Sequence, residues 1–350
     1  MPTPPLVSII LPVHNEAEHA AAAIAQLAGL TYPATEVIVV DDASTDNTAA
    51  LCQAAAQAAG LPITVLHTAT SHGVAAARVR GVHHARGTYV WLCDADDEWD
   101  REILSILVDG AVRTNSDVTC CRARRHESSG RTWVMEGVPR PRTLTGPEVL
   151  DAALAGLIRG YFWNKLFRRE VLASLPNREH LSSQDDFVTL LQVVRRGPTV
   201  TLLPDICYDY RERAASISTT DLSRLDNTDA CYTMMQHVVE SEIRLAPRAR
   251  QRELRRSLAD FRLWFLVLPS VSTPVHHGWP DSATTALVRR FSSSVDVATV
   301  VRSARLHPRV AAHGALLKVA GRHYPTAYRL LATARGFSLR TGSALPPSPT

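Results

Sequence analysis

Four aspartates, set in two pairs, are the residues of this chain best able to do chemistry: Asp41-Asp42, and Asp94 with Asp96 inside Asp94-Ala95-Asp96-Asp97. Ile38-Val39-Val40 runs into the first pair and Tyr89-Val90-Trp91-Leu92-Cys93 into the second, so carboxylates collect where short buried strands give way to loops. In open α/β sheets that edge is where ligands bind. Carboxylates gathered there are costly unless a cation or a polar ligand compensates them. The pattern therefore points to a metal-dependent site for a phosphorylated ligand.

The elements that must position these aspartates alternate. Val7 to Val13 reads as a strand, Ala17 to Ala28 as a helix, Glu36 to Val40 as a strand, and Ser44-Thr45-Asp46 supplies N-cap candidates for a helix through Ala59. A strand Ile63 to His67, a helix opened by Gly73 and running to Ala85, a strand Tyr89 to Cys93 and a helix from Asp100 to Arg113 follow. Strands alternating with helices of about 10–15 residues imply βαβ units and a mostly parallel sheet. Asp117 to Ala123 reads as a further strand, and Arg124 to Pro141 as a hairpin or a loop over the site. Gly146 to Leu157, Arg168 to Ala173 and Asp185 to Arg195 read as helical, with Val200 to Tyr210 a last strand. From about Leu222 only helices are expected, and Gly342 to Thr350 is Pro/Ser-rich and expected to be disordered.

The 350 residues, 45% hydrophobic and 21% charged, suit a large domain with an appendage or two domains. The six cysteines show no CxxC spacing, so neither a zinc site nor a disulfide framework is supported, and buried thiols are expected. No signal peptide is visible at the start, and the run Leu263 to Leu268 is far shorter than a bilayer of about 30 Å requires, so a cytoplasmic protein is expected. Charge is uneven. Residues 244–350 carry 17 basic and 4 acidic side chains, net +13, whereas residues 1–243 carry 21 and 30, net −9. Asp260 to Leu268, with Arg248, Arg250, Arg252, Arg255 and Arg256 upstream, is either a basic amphipathic surface for the inner face of an anionic membrane or a helix packed on the catalytic part or on another subunit.

Read in order, Val7-Ser8-Ile9-Ile10-Leu11-Pro12-Val13-His14-Asn15-Glu16, Val39-Val40-Asp41-Asp42-Ala43-Ser44-Thr45-Asp46, Gly73-Val74-Ala75-Ala76-Ala77-Arg78 and Asp94-Ala95-Asp96-Asp97 resemble the GT-A fold, family 2 inverting glycosyltransferases. Each segment alone is common; all four in this order are not. A weaker likeness continues through Trp163-Asn164-Lys165, Asp185-Asp186 and Tyr210-Arg211 with Ser216-Ile217-Ser218. The resemblance implies a GT-A catalytic domain over residues 1–220, with nucleotide-sugar binding over about 6–115 and the acceptor side over about 116–220. A basic helical region, 221–341, and the tail 342–350 would follow.

By that resemblance Asp96 holds a divalent cation, Mn²⁺ or Mg²⁺, and Asp94 contacts the ribose or the metal through water; both ions favour oxygen ligands and a departing diphosphate needs their charge. Asp42 would read the imide of uracil, and His14, where the family usually carries an aromatic, would stack on the base. Pro12, Glu16 and Ala95 would line the same pocket, and Arg78 would approach the nucleotide. Asp186 would take the proton of the acceptor hydroxyl, with Asp185 beside it where the family usually has glutamate. Trp163 and Lys165 would hold the acceptor sugar, and Arg211 would clamp the diphosphate. Plainer roles stay open: helix capping for Asp94 to Asp97 and for Ser182-Ser183-Gln184-Asp185, a loop position for His14, a surface position for Arg78, core packing for Trp163, an ion pair for Arg211.

A sugar nucleotidyltransferase needs a Gly-rich loop after the first strand, where Pro12-Val13-His14-Asn15-Glu16 stands instead, and neither GxGxxG nor GxxxxGK[ST] occurs. A non-catalytic scaffold on the same fold is the rival of another class. The expected partners are a nucleotide sugar, UDP-linked by the Asp42 pattern, and a carbohydrate, polymer or small-metabolite acceptor. No nucleic acid is expected, and the basic tail is a candidate for membrane contact or self-association.

Overall fold

The computed structural model describes residues 3–126, 130, 132–135, 137–175, 185–211, 223–276, 278–279, 281–306 and 308–335. Its contacts divide the chain into two units, Met1–Leu150 with Ile158–Arg213, and Asp151–Leu157 with Ala214–Thr350.

The first unit begins with β1 (Val7–Val13), α1 (Ala17–Ala28), β2 (Thr35–Asp41), α2 (Thr48–Ala59), β3 (Ile63–His67), α3 (Val74–His84) and β4 (Tyr89–Leu92). It continues with β5 (Glu98–Trp99), α4 (Ile103–Thr114), β6 (Val118–His126), β7 (Thr132–Met135), β8 (Arg142–Leu144), α5 (Pro147–Leu154), β9 (Lys165–Arg168), α6 (Arg169–Ala173), α7 (Asp185–Val194) and β10 (Val200–Arg211). The strands form one sheet in the order β3-β2-β1-β4-β9-β6-β10-β5, with β7 on β6 and β8 on β10. β1, β2, β3, β4, β6 and β10 all point one way, and the short β5, β7, β8 and β9 run against them. This is the mostly parallel α/β sheet that the alternating pattern predicts.

Burial on both faces explains why the leading strands are continuous apolar runs: every residue of β1 is buried, as is Val37 to Asp41 of β2. α1 covers the sheet with Ala20, Ala23, Ile24 and Leu27, one stripe at helical spacing. α3 comes closer still, because Gly81 has no side chain; a Cβ there would lie 2.5 Å from the Ile10 side chain. The chain winds outward through β1, β2 and β3, then returns to the other side of β1 with β4. That reversal creates a switch point between β1 and β4, where a crevice opens outside the carboxyl ends of the strands.

Three differences from the sequence reading have physical causes. Lys165–Arg168 is a strand, wedged antiparallel between β4 and β6 with Leu166 beside both Trp91 and Thr119. Its four residues, opened by lysine, carry no period-2 signal. Asp100 does not cap α4: that helix starts at Ile103 after Glu102, and Asp100 accepts the Glu102 N–H at 2.8 Å in a preceding turn. Over 124–141, β6 runs on to His126 and pairs with β7, the hairpin alternative.

The second unit is helical throughout its described residues: α8 (Ser223–Leu245), α9 (Arg248–Phe261), a π-helical turn Arg262–Val267, α10 (Leu268–His276), α11 (Asp281–Ser292), α12 (Val297–Leu306), α13 (Pro308–Ala320), a 3₁₀ turn Gly321–His323 and α14 (Tyr324–Arg335). Phe261, Leu263, Leu266, Val267 and Leu268 are buried among these helices, and the Trp264 indole N–H donates to the Leu154 carbonyl at 3.1 Å. The apolar side of the Asp260 to Leu268 stretch thus packs inward. Arg248, Arg252, Arg255 and Arg256 stay exposed, while Arg250 pairs with Asp151 at 2.7 Å and with Glu253 at 2.9 Å. All six cysteines are buried free thiols. Among the described residues no helix is long and apolar enough to cross a membrane. Residues 342–350 lie outside the described residues.

Candidate active site

The first two loops at the carboxyl edge are laced together by their own polar side chains. Asn15 accepts the Thr45 N–H at 2.8 Å and donates its own N–H to the Ser44 hydroxyl at 3.0 Å; Glu16 donates its N–H to the Thr48 hydroxyl at 2.8 Å. Asn15 and Ala43 both take left-handed backbone, φ 53° and 57°. Asparagine tolerates that region, whereas Ala43 carries a cost of about 1–2 kcal/mol that the surrounding hydrogen bonds must offset. The result is a fixed rim that presents His14, whose Nδ1 lies 2.7 Å from the Asp42 carbonyl oxygen.

Asp41 and Asp42 are both buried, at 5% and 3% exposure. Asp41 accepts the Ser44 N–H at 3.1 Å and faces the His67 ring at the same distance. The Asp42 carboxylate collects the loop after β3: the N–H groups of His72 at 3.0 Å and Gly73 at 2.7 Å, and the hydroxyls of Ser71 at 2.7 Å and Thr68 at 3.1 Å. Burial alone would raise its pKa, but the His72 N–H, the Ser71 hydroxyl, the Gly73 N–H and the Thr68 hydroxyl outweigh burial and hold it below the ordinary carboxylate value. Asp42 is therefore an ionised anchor for residues 68–73, a role that its sequence pattern did not reveal.

At the end of β4 the chain turns through Asp94-Ala95-Asp96-Asp97. Asp94 and Asp96 are partly exposed, and Ala95 is 6% exposed. Arg78 of α3 donates to the Asp94 carboxylate at 2.8 Å, and its guanidinium lies over the Phe162 ring, 5.1 Å from the centroid. Asp97 points the other way. It is 2% exposed, accepts the Tyr208 hydroxyl at 2.9 Å and the Arg211 N–H at 3.4 Å, and its carboxyl is pushed well above the ordinary value by burial and then by the neighbouring Asp94. Tyr208 is also pushed up, first by burial and then by Asp97. The turn is thereby bolted to β10. Asp97, expected at most to help cap a helix, instead pairs with Tyr208, a partner that no local sequence pattern announces.

Beneath the turn lies an aromatic stack. Trp163 stacks on Tyr208 at 4.6 Å, on Tyr161 at 4.9 Å and on Tyr210 at 5.9 Å, and its carbonyl accepts the Trp91 indole N–H at 2.7 Å. Trp163 is 4% exposed and Lys165 1%; the Lys165 ammonium donates to the Tyr161 carbonyl and the Asn164 side-chain oxygen, both at 2.8 Å. Both expected acceptor-side residues are thus core members that shape the floor. Arg211 forms a two-pronged ion pair with Glu98, at 3.0 and 2.9 Å, the plainer of its two readings. Pro12 is buried within β1 opposite Val40, and Glu16 is partly exposed ahead of α1.

Asp186 stands in the first turn of α7, where its carboxylate accepts the Phe187 N–H at 2.7 Å. Asp185 is the first residue of that helix, and its side chain falls outside the described residues, as do Ser182, Ser183, Gln184, Ser216 and Ser218. α7 packs against the segment before β9 and shares a cavity wall with α3 and β4. A Cβ on Gly160 would meet the Phe187 backbone at 2.7 Å, and Thr189, one turn beyond Asp186, lines a small cavity with Arg78, Leu92 and Phe162. Arg78 consequently touches Asp94 on one side and the walls of the α7 pocket on the other. The structure brings His14, Asp42, Arg78, Asp94, Ala95 and Asp96 to one sheet edge, with the Asp186 helix alongside.

Among the described residues no three His, Cys, Asp or Glu side chains converge as a metal cage. Two carboxylates separated by one residue, both oxygen donors, nevertheless fit a Mg²⁺ or Mn²⁺ ion that would take its remaining ligands from substrate phosphates.

Residues 8–175 match the model of "Glycosyl transferase family 2". "Uncharacterized glycosyltransferase EpsJ" of Bacillus subtilis (strain 168) is 31% identical over 219 residues, 61% of this chain and 63% of that one, so the chain spans under two thirds of that relative's length. Among solved structures, S. aureus TarS 1–349 in complex with UDP-GlcNAc aligns over 93% of this chain and 92% of its own, with a TM-score of 0.60 and 20% identity. The mannosyltransferase PcManGT from Pyrobaculum calidifontis, in complex with GDP-Man and Mn²⁺, aligns over 94% and 88% with a TM-score of 0.52 and 19% identity. At those identities the likeness is one of fold. Together with the carboxylate edge described above, the match places residues 8–175 in glycosyltransferase family 2, and the fold is of the GT-A type.

Proposed function

We propose that the protein transfers a sugar from a nucleotide diphosphate to an acceptor hydroxyl by single displacement, with inversion at the sugar carbon. The observation that carries this reading is the gathering of His14, Asp42, Arg78, Asp94 and Asp96 at the switch point between β1 and β4, with Thr189 of α7 lining the same small cavity as Arg78. His14 and the Asp42 loop bind the base, a uracil by the family pattern. Asp96, with Asp94, holds a divalent cation, which supplies positive charge where the leaving diphosphate develops negative charge. Arg78 keeps Asp94 oriented at 2.8 Å and adds a second cation to that side of the cleft. Asp186 takes the acceptor proton as it becomes acidic in the transition state. Asp186 stands in the first turn of α7, the end of a helix at which negative charge is favoured. Nucleotide sugars bound to TarS and PcManGT, and the Mn²⁺ of PcManGT, support the donor class and the cation.

The test is a thermal-shift panel of UDP- and GDP-sugars with and without Mn²⁺. Binding of a ligand at about 100 times its Kd stabilises the fold by about 2.7 kcal/mol. A clear rise in melting temperature is therefore expected with one UDP-sugar, and only when Mn²⁺ is present. A metal-independent rise, or none with any nucleotide sugar, would refute the donor and cation assignments.

A further inference from the structure

We infer that the outward face of α12 and α13 in the helical unit docks on an anionic phospholipid bilayer. Large exposed apolar side chains are normally scattered. Here five of the nine found among the described residues fall within 297–331: Val297 at 64%, Val301 at 65%, Val319 at 89%, Leu330 at 65% and Leu331 at 37% exposure. On α12 the exposed row is Val297, Ala298, Val301 and Ala304, all apolar, while Thr299, Val300 and Ser303 are buried on the opposite side. On α13 the exposed row is Ala312, Ala315 and Val319, with Lys318 beside it.

The two helices are separated by a single residue and pack along one another, Val300 against Gly314, where a Cβ would come within 3.1 Å. The exposed rows of Val297 and Val301 on α12 and of Val319 on α13 therefore lie on two helices packed side by side. Charge decides the occupant. Residues 289–335 carry nine basic side chains and one acidic; Arg289, Lys318, Arg322 and Arg329 are exposed, and Arg290, also exposed, pairs with Asp229 at 3.3 Å. A second copy offering the same face would meet like charge. Apolar rows within so basic a segment, with Lys318 next to Val319, suit instead a surface that is anionic at its headgroups and apolar just beneath. This face is distinct from the Asp260 to Leu268 stretch, whose apolar side chains are already buried.

The experiment is co-sedimentation of the full chain with vesicles of phosphatidylcholine alone or containing about 30% phosphatidylglycerol. Light scattering in parallel reads the oligomeric state. The chain is expected to pellet only with the anionic vesicles, and raising NaCl from about 0.1 to about 0.5 M should lower the bound fraction at least roughly fivefold. The double variant Val301→Glu, Val319→Glu should remain in the supernatant with an unchanged melting temperature. Three results would overturn the proposal: no pelleting of the wild type with anionic vesicles; equal pelleting of wild type and double variant; or pelleting only once residues 336–350 are removed, which would make that tail the occupant. Conversion of an oligomer to monomers by the double variant, with vesicle binding unchanged, would assign the face to a second copy.

Discussion

Asp186→Asn is expected to lower the rate of sugar transfer by about 10³-fold while leaving the Kd of the donor within about twofold. Asparagine keeps the size of the side chain and can still accept the Phe187 N–H that the carboxylate accepts at 2.7 Å, so the start of α7 should hold its shape. Only the capacity to take a proton is lost. A positioned base contributes about 10²–10⁴ to a transfer step, and the acceptor hydroxyl has no other assigned proton acceptor in the proposed scheme. In the proposed scheme donor binding belongs to the β1, β2 and β4 loops, which the substitution does not touch. Steady-state release of UDP in the presence of acceptor, paired with donor titration by calorimetry, separates the two quantities. A variant that keeps a third or more of the turnover would remove Asp186 from the mechanism, and a parallel loss of donor affinity would make it a binding residue.

Asp96→Asn should cost about 10²–10³ in kcat/KM and abolish the dependence of donor binding on Mn²⁺. The choice of Asp96 over Asp94 follows from the geometry. Asp94 is paired with Arg78 at 2.8 Å, and its removal would also release a guanidinium that is only 13% exposed, which mixes two effects. Asp97 is tied to Tyr208, so its loss would unbolt the whole turn from β10. Asp96 is partly exposed, and a change at such a position usually shifts stability by no more than about 0.5 kcal/mol. The melting temperature of the free variant should therefore match the wild type while its Mn²⁺-linked rise with UDP-sugar disappears. Retention of that rise would show that the cation, if used, sits elsewhere.

The part of the molecule nearest the nucleotide edge was the most legible in the sequence. β1, α1 and β3 coincide with their expected limits, and β2, α2, α3 and β4 fall within a few residues of theirs. β1, most of β2 and β4 are buried on both faces, so they read as unbroken apolar runs, and Gly60 and Gly73 in left-handed backbone punctuate the sequence between them. Legibility fell where identity depends on distant partners. Lys165 became a core strand residue because Tyr161 and Asn164 supply oxygens for its ammonium, an arrangement that no local pattern announces. Trp163 reads equally as a sugar platform or as core until Tyr161, Tyr208 and Tyr210 are seen stacked with it. Arg211 is likewise claimed by Glu98, 113 positions earlier. In the helical unit the helices themselves were readable, but not which faces they spend on each other. Asp260 meets Arg302 at 2.8 Å across 42 positions, a pairing that no local pattern announces.

The most direct measurement is a crystal structure of the protein with UDP and Mn²⁺, with the ion located by its anomalous scattering. The account predicts one ion within about 2.0–2.2 Å of an Asp96 carboxylate oxygen and of the diphosphate. It also predicts the uracil against His14 and the Asp42 loop, and the Asp186 carboxylate facing the open side of the same cleft. An ion bound away from Asp96, or a nucleotide seated where Asp186 cannot reach its sugar position, would contradict it.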